Sequence, residues 1–263
     1  MRLAGGLPEA GARPLSAHRT AGGKLLAVLD AFTRSRPALA LSEIARAAGM
    51  PLSTAHRLVA ELVSWGGLER SDDGRYRIGL HVWELGALAP RALGLREVAL
   101  PFMEDLYEVT HENVQLAVRD GDELVFVERL ASREAVDVLT QVGGRFAMPP
   151  TGVGLVLLAH APVDVQERVL AVPLQRYTPL TITDPRRLRA VLADVRRTGF
   201  AVSDRQVTMD AVSVAAPVTA RGEAVAALSI VVRGTSAADV RAVTPGVRAA
   251  ALGISRTLDR ARG

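Results

Sequence analysis

The 263-residue chain contains no cysteine, which excludes disulfides, thiolate metal sites, iron–sulfur ligation and a cysteine nucleophile. It also lacks a long apolar run. The most apolar stretch, residues 155–161, contains His160 and is followed by Pro162, far short of the roughly 20 residues a spanning helix needs. Residues 1–19 have no apolar segment of the kind found in a secretory signal. They are rich in Gly, Ala, Pro and Arg, so they are expected to form a disordered tail on a cytoplasmic protein with no membrane partner. Enzyme signatures are missing as well. The five histidines, at 18, 56, 81, 111 and 160, have no metal-ligand spacing, and no Gly-x-Ser-x-Gly elbow occurs. Gly143-Gly144 and Gly152-Val153-Gly154 are accompanied by no dinucleotide fingerprint and no phosphate-loop lysine. No catalytic residue, metal or cofactor is therefore expected. Lysine is nearly absent too: of 32 basic residues only Lys24 is lysine, a bias open to two readings, genomic base composition or anion binding.

What is present is a globular composition, 49% apolar and 23% charged, in a chain long enough for roughly two domains. The net charge of +4 is concentrated in residues 1–82, which hold 11 Lys+Arg against 7 Asp+Glu. In that third, residues 24–32 place Leu25, Leu26, Val28, Leu29 and Phe32 at helical spacing. Residues 41–49 read as a short second helix, with Ser42 as N-cap and Gly49 at the left-handed C-terminal position. Met50-Pro51-Leu52 makes a turn. Ser53 is expected to cap a third helix that buries Ala55, Leu58, Val59 and Leu62 and leaves Thr54, His56, Arg57 and Glu61 outward. Residues 68–78 alternate around Asp73-Gly74, a strong hairpin signal. Helix, helix, turn, helix and hairpin spell a winged helix-turn-helix over residues 20–80. Its third helix offers Ser53, Thr54, His56 and Arg57 to the major groove of duplex DNA, and the wing offers Arg70, Arg75 and Arg77 to phosphates or the minor groove.

Residues 81–95 read as a linker helix interrupted at Pro90, and residues 96–263 as a second domain. It opens with an amphipathic helix over 101–110. Strands are expected at 114–119, 124–130 and 136–141, then at 212–219 and 224–232, with helices at 151–161, 184–198 and 238–258. Asp184 caps the middle of these helices and Pro185 takes its first turn. Hairpin spacings make the sheet at least partly antiparallel, so the fold class is α+β. Thr151-Gly152-Val153-Gly154 opens an apolar helix, where free N–H groups can hold a carboxylate or simply make a tight turn. Ser213 and Ser229 interrupt apolar strands, and each buried hydroxyl needs a partner, ligand or backbone.

Leu-Ser-Glu-Ile-Ala-Arg-Ala-Ala-Gly-Met-Pro-Leu-Ser-Thr-Ala-His-Arg-Leu over residues 41–58, with Gly-Leu-Glu-Arg at 67–70 and Asp-Gly-Arg-Tyr-Arg-Ile-Gly at 73–79, resembles the DNA-binding half of IclR-type bacterial transcriptional regulators. The second half is similar to the same family's effector domain at Glu112 to Arg119, Val142-Gly-Gly-Arg145, residues 151–154, Phe200-Ala-Val-Ser-Asp204, Ala215-Ala-Pro217 and Ala226-Ala-Leu-Ser-Ile230. The resemblance implies a GAF-like α/β effector domain with a curved antiparallel sheet. It also implies a homodimer or homotetramer on double-stranded DNA with a palindromic operator, responsive to a small organic, in some members aromatic, acid. Carried over by resemblance, the effector site comprises Thr151, Gly152, Val153, Ser203, Ser213, Ser229, Ile230 and Val231. The chain departs from the family at Pro149-Pro150, Leu155-Val156 and Arg205-Gln206. With Leu155 and Val156 nearby, a larger and more apolar acid is expected. Two other readings compete: a small-acid enzyme tethered to nucleic acid, disfavoured by the missing catalytic groups, and an architectural DNA protein, disfavoured by the charge balance of residues 83–263.

Overall fold

The computed structural model of the chain describes residues 20–33, 35–89, 93–132, 135, 136, 138, 140–234 and 237–261; the tail expected over 1–19 and the break expected at Pro90 lie outside them. The chain divides into two units, one taking the described residues up to 93 and the other those from 94 onward.

In the first unit α1 (Ala21–Asp30), α2 (Leu41–Ala47) and α3 (Leu52–Trp65) are followed by the hairpin β1 (Leu68–Arg70) and β2 (Tyr76–Ile78). Val28, Leu39, Ile44, Leu58, Val59, Leu62 and Leu68 form one core, so the i, i+3, i+4 stripe of α3 is its buried face. Two expected caps are displaced by two residues, from Ser42 to Ala40 and from Ser53 to Pro51. Helix α2 begins at Leu41, and the Glu43 carboxylate, not the Ser42 hydroxyl, closes its start by accepting the Ala40 N–H at 2.7 Å. Helix α3 begins at Leu52 behind Pro51, whose carbonyl accepts the Ala55 N–H. Ser53 therefore stands in the first turn rather than before it, because a proline already supplies the extended entry and needs no N–H of its own. Gly49 adopts φ 61° and ends α2 as the sequence requires. The expected 81–95 linker appears as α4 (Leu80–Gly86), and a separate helix α5 (Leu93–Thr110) runs through Pro101.

The second unit is built on a six-stranded antiparallel sheet in the order β5-β4-β3-β8-β7-β6. Its strands are β3 (Asn113–Asp120), β4 (Glu123–Leu130), β5 (Arg145–Ala147), β6 (Ala201–Asp204), β7 (Ala211–Ala220) and β8 (Glu223–Arg233). Helix α6 (Gly152–Ala159) packs on one face with α8 (Pro185–Thr198), and α9 (Ala237–Ala261) packs on the other. Every residue of α6 is buried, as a helix apolar on all sides must be. Helix α5 closes against α9 where Gly246 and Gly253 stand. A Cβ at Gly253 would lie 2.4 Å from the Phe102 ring. A further helix, α7 (Val163–Ala171), starts behind Pro162; its short apolar set had no separate periodic signal.

The strand expected at 136–141 is absent from its described residues. The edge of β4 is taken instead by β5, with Glu123 opposite Ala147, and by Gly143 and Gly144, which exchange backbone bonds with Phe126. The 136–141 segment is held by side chains: Asn113 Nδ2 donates to the Val136 carbonyl at 2.8 Å and Gln115 Nε2 to Thr140 Oγ1 at 2.7 Å.

Candidate functional site

Helix α3 turns Ser53, His56 and Arg57 to solvent and leaves Thr54 half-buried. Among the described residues Arg57 meets only Glu61, at 3.8 Å and with both side chains largely exposed, a pair too weak to hold the guanidinium in place. Two neighbours that the polarity pattern did not single out share this surface: Leu52, more than half exposed at the start of α3, and Arg46, exposed at the end of α2. An apolar side chain at the front of a groove-reading helix suits a thymine methyl.

The three wing arginines separate by role. Arg77 is exposed on β2, and the Arg70 guanidinium lies 5.8 Å from the Tyr76 ring centroid. Arg75 turns inward, where its Nη1 donates to Glu43 Oε2 at 3.0 Å and to the Ala38 carbonyl at 3.1 Å. It thus ties the wing to α2, beside the backbone pair that joins Tyr76 to Leu39. The bond from the Ala40 N–H does most to hold the Glu43 carboxyl below its ordinary pKa; burial opposes it, and the charge and hydrogen bond of Arg75 add to the lowering.

In the second unit a cleft with about 460 Å³ of empty space opens between the N-terminus of α6 and the sheet. Thr151, Gly152 and Val153 line it from α6, Ser203 from β6, Ser213 from β7 and Val231 from β8. These three strand residues form one cross-strand row, Ser203 opposite Ser213 and Ser213 opposite Val231. Side chains alternate along a strand, so Ile230 belongs to the opposite face and cannot reach the cleft. Ser229 lies on the cleft's face, in the next row between Gln115 and Ala215. It is fully buried, and among the described residues its Oγ is the one buried side-chain atom without a partner.

The hydroxyls differ in what they have left to offer. Thr151 caps α6 by accepting the Gly154 N–H while donating to the Met148 carbonyl, and Ser203 donates to the Pro150 carbonyl at 2.6 Å. Both spend their hydrogens on the framework. No described residue bonds Ser213 Oγ, and the N–H groups of Gly152 and Val153, ahead of the first intrahelical bonds, are equally open. Gly152 allows this approach, since a Cβ there would sit 2.6 Å from Ser213 Oγ.

Gln115, Phe126, Val138, Thr140, Val207, Thr208 and Ala211 complete the lining, and no charged side chain is among the lining residues. The family pattern around residues 112–119 pointed at Gln115's strand but not at its side chain; a glutamine inside an apolar strand was the available signal. Leu155 and Val156 sit in the core instead, so the apolar walls come from Phe126, Val138, Val153, Val207 and Val231. Gln206 is buried away from the lining, its Oε1 accepting the Ile182 N–H at 3.0 Å. Phe126 reaches the cleft through a bulge in β4. Glu128 stands opposite Leu116 but Phe126 opposite Ala117, leaving Val127 as the extra residue. The bulge sends Phe126 to the cleft and Glu128 to the other face, where it pairs with Arg96 of α5.

A family model described as the IclR helix-turn-helix domain matches residues 23–72, and one described as the bacterial transcriptional regulator IclR C-terminal domain matches residues 89–256. The chain is 33% identical to the HTH-type transcriptional regulator BhcR of Paracoccus denitrificans over 79% of its length and 75% of the relative's. It is 31% identical to KipR of Bacillus subtilis over 89% and 95%. Among solved structures, an IclR homologue from Microbacterium hydrocarbonoxydans complexed with 4-hydroxybenzoate superposes with a TM-score of 0.87 at 42% identity, covering 90% of this chain and 98% of that one.

Proposed function

We propose that this chain, which belongs to the IclR family of bacterial transcriptional regulators, reads its operator with the outward face of α3 and responds to a small organic acid bound in the cleft beneath α6. The protein is a DNA-binding transcriptional regulator with an effector-binding domain, from a family of regulators rather than enzymes. The observation that carries the residue assignment is the exposed and weakly tethered Arg57 beside Ser53 and His56. Guanidinium, imidazole and hydroxyl on one helix face can reach base edges and phosphates together. Thr54 contributes from the side of the same helix, Arg70 and Arg77 hold the backbone flanking it, and Arg75 acts through the wing's placement.

The reading extends to a dimer or tetramer in the bacterial cytoplasm. Helix α4 has no buried residue and exposes Leu80, Trp83 and Leu85, with Leu88 just beyond its end; Trp83 is 69% and Leu88 76% exposed. A second copy covering that surface would pair two α3 helices on a palindromic site with half-sites about 34 Å apart or a multiple of it. In the cleft, the Gly152 and Val153 N–H groups and the Ser213 hydroxyl suit a carboxylate, and the related structure complexed with 4-hydroxybenzoate supports an aromatic acid. An acid that binds one arrangement of the protein better than another shifts operator affinity by that difference.

The test is a gel shift on operator fragments selected by the purified protein. Arg57→Ala should weaken binding about tenfold to a hundredfold, in line with about 1–3 kcal/mol for a base-contacting arginine, with an unchanged melting profile. Equal affinity of variant and wild type at matched salt would refute the assignment.

A further inference from the structure

The cleft has a second polar end, and its chemistry is unlike the first. Gln115 and Thr140 are both buried, joined by the 2.7 Å bond from Nε2 to Oγ1, and both line the cleft. Thr140 accepts that bond, so its own hydroxyl hydrogen remains to be donated. No described residue bonds Gln115 Oε1, which remains to accept. The pair therefore presents one donor and one acceptor and no charge, the complement of a hydroxyl or a primary amine.

Its distance from the first end follows from the register. Ser213 stands opposite Val231 on β8, Val231 opposite Asn113 on β3, and Gln115 is two residues further along β3. Two interstrand spacings across and two residues along come to about 12 Å between backbone positions. That is the length of one aromatic ring with a polar group at each end and a hydrogen bond of about 2.8 Å beyond each. Val231 lies between the two ends, and Phe126, Val153 and Val207 supply apolar walls.

We infer that Gln115 and Thr140 are specificity-determining residues that read a neutral hydrogen-bonding group at the far end of the ligand from its carboxylate. The ligand class is thereby narrowed to aromatic monocarboxylic acids carrying a hydroxyl or amino group para to the acid. A second carboxylate at that end would bring no hydrogen to Gln115 Oε1, and the neighbouring Arg129 is already engaged by Asn113 Oδ1 and the Thr140 carbonyl. An unsubstituted ring would strand the buried donor and acceptor. The inference rests on the acid-binding reading above, and its test separates the two.

Binding of benzoate, 4-hydroxybenzoate, 4-aminobenzoate and terephthalate to the full-length protein is measured by titration calorimetry. Wild type should bind the hydroxy and amino acids at least tenfold tighter than benzoate and terephthalate weakest. Gln115→Leu and Thr140→Val should each erase that preference, with benzoate binding at least as tightly as to wild type because no polar group is left stranded, and an unchanged melting profile reports an intact fold. Thr140→Ser, which keeps the hydroxyl, should restore it. Equal wild-type affinity for benzoate and 4-hydroxybenzoate, or a preference that survives in both variants, overturns the inference and leaves acid binding standing. Failure of all four acids to bind wild type removes the acid reading and this inference with it.

Discussion

Gly154 and Gly152 are two residues apart on α6 and face different constraints. A Cβ at Gly154 would lie 2.0 Å from the Met148 carbonyl oxygen, whereas one at Gly152 meets the end of the Ser213 side chain at 2.6 Å. Backbone cannot yield as a hydroxyl rotor can. Gly154→Ala should cost about 2–3 kcal/mol of stability, the upper range for overpacking, as urea denaturation would measure. Gly152→Ala should cost clearly less and act mainly by shrinking the cleft. Equal losses would mean that the turn is not as tightly closed against Met148 as the geometry requires. The buried hydroxyls follow the same local logic: Thr151 and Ser203 hold the turn together, while Ser213 keeps its hydrogen for the cleft.

At the scale of elements, an ion pair and a backbone bridge tie the wing to α2 and the segment before it, beside the packing of Leu68 in the core. Arg75 reaches Glu43 and the Ala38 carbonyl, and Tyr76 exchanges bonds with Leu39. Glu43 has its folded pKa lowered below the ordinary 4.5, first by the Ala40 N–H and then by Arg75. A carboxylate with a depressed folded pKa contributes stability that is complete above its unfolded pKa and is lost as pH falls through the folded one. The wing should therefore be firm at neutral pH and loosen only as pH falls below the ordinary range of a glutamate. Hydrogen-exchange protection of the Tyr76 amide would report it. Glu43→Gln should lower that protection at pH 7 and flatten its pH dependence; a wild-type pH profile retained in the variant would remove Glu43 from the brace. The β4 bulge is the other device at this scale. It places Phe126 at the cleft and Glu128 under α5 within one strand, which a regular period of two forbids.

For the whole molecule, the apolar surface of α4 and the chain just beyond it is the feature a single copy leaves unexplained. Trp83→Glu should move the protein toward monomer in light scattering and weaken operator binding by more than tenfold, because a lone recognition helix loses the contribution of its twin. A variant that stays fully oligomeric would place the interface elsewhere. Helix α5, which follows this region in the chain, is anchored to the sheet by Arg96 on Glu128 and to α9 by Phe102 and Leu106 over Gly253 and Gly246.

The sequence by itself determined the order of the elements in the first unit and the outward face of α3, because helical periodicity and an Asp-Gly hairpin are local signals. Motif resemblance carried it as far as six of the cleft residues: Thr151, Gly152, Val153, Ser203, Ser213 and Val231. Tertiary structure alone decided the remainder. Gln115 and Phe126 come to the cleft through strand pairing and a bulge, Thr140 and Thr208 join them from outside the strands, and Ile230 is turned away by the alternation that admits Val231. Arg75 looked like another wing arginine until Glu43, distant in sequence, was brought beside it. Local propensity sets which way one helix or strand faces; which side chains share a cavity depends on register between strands far apart in the chain, and no short stretch of sequence encodes that.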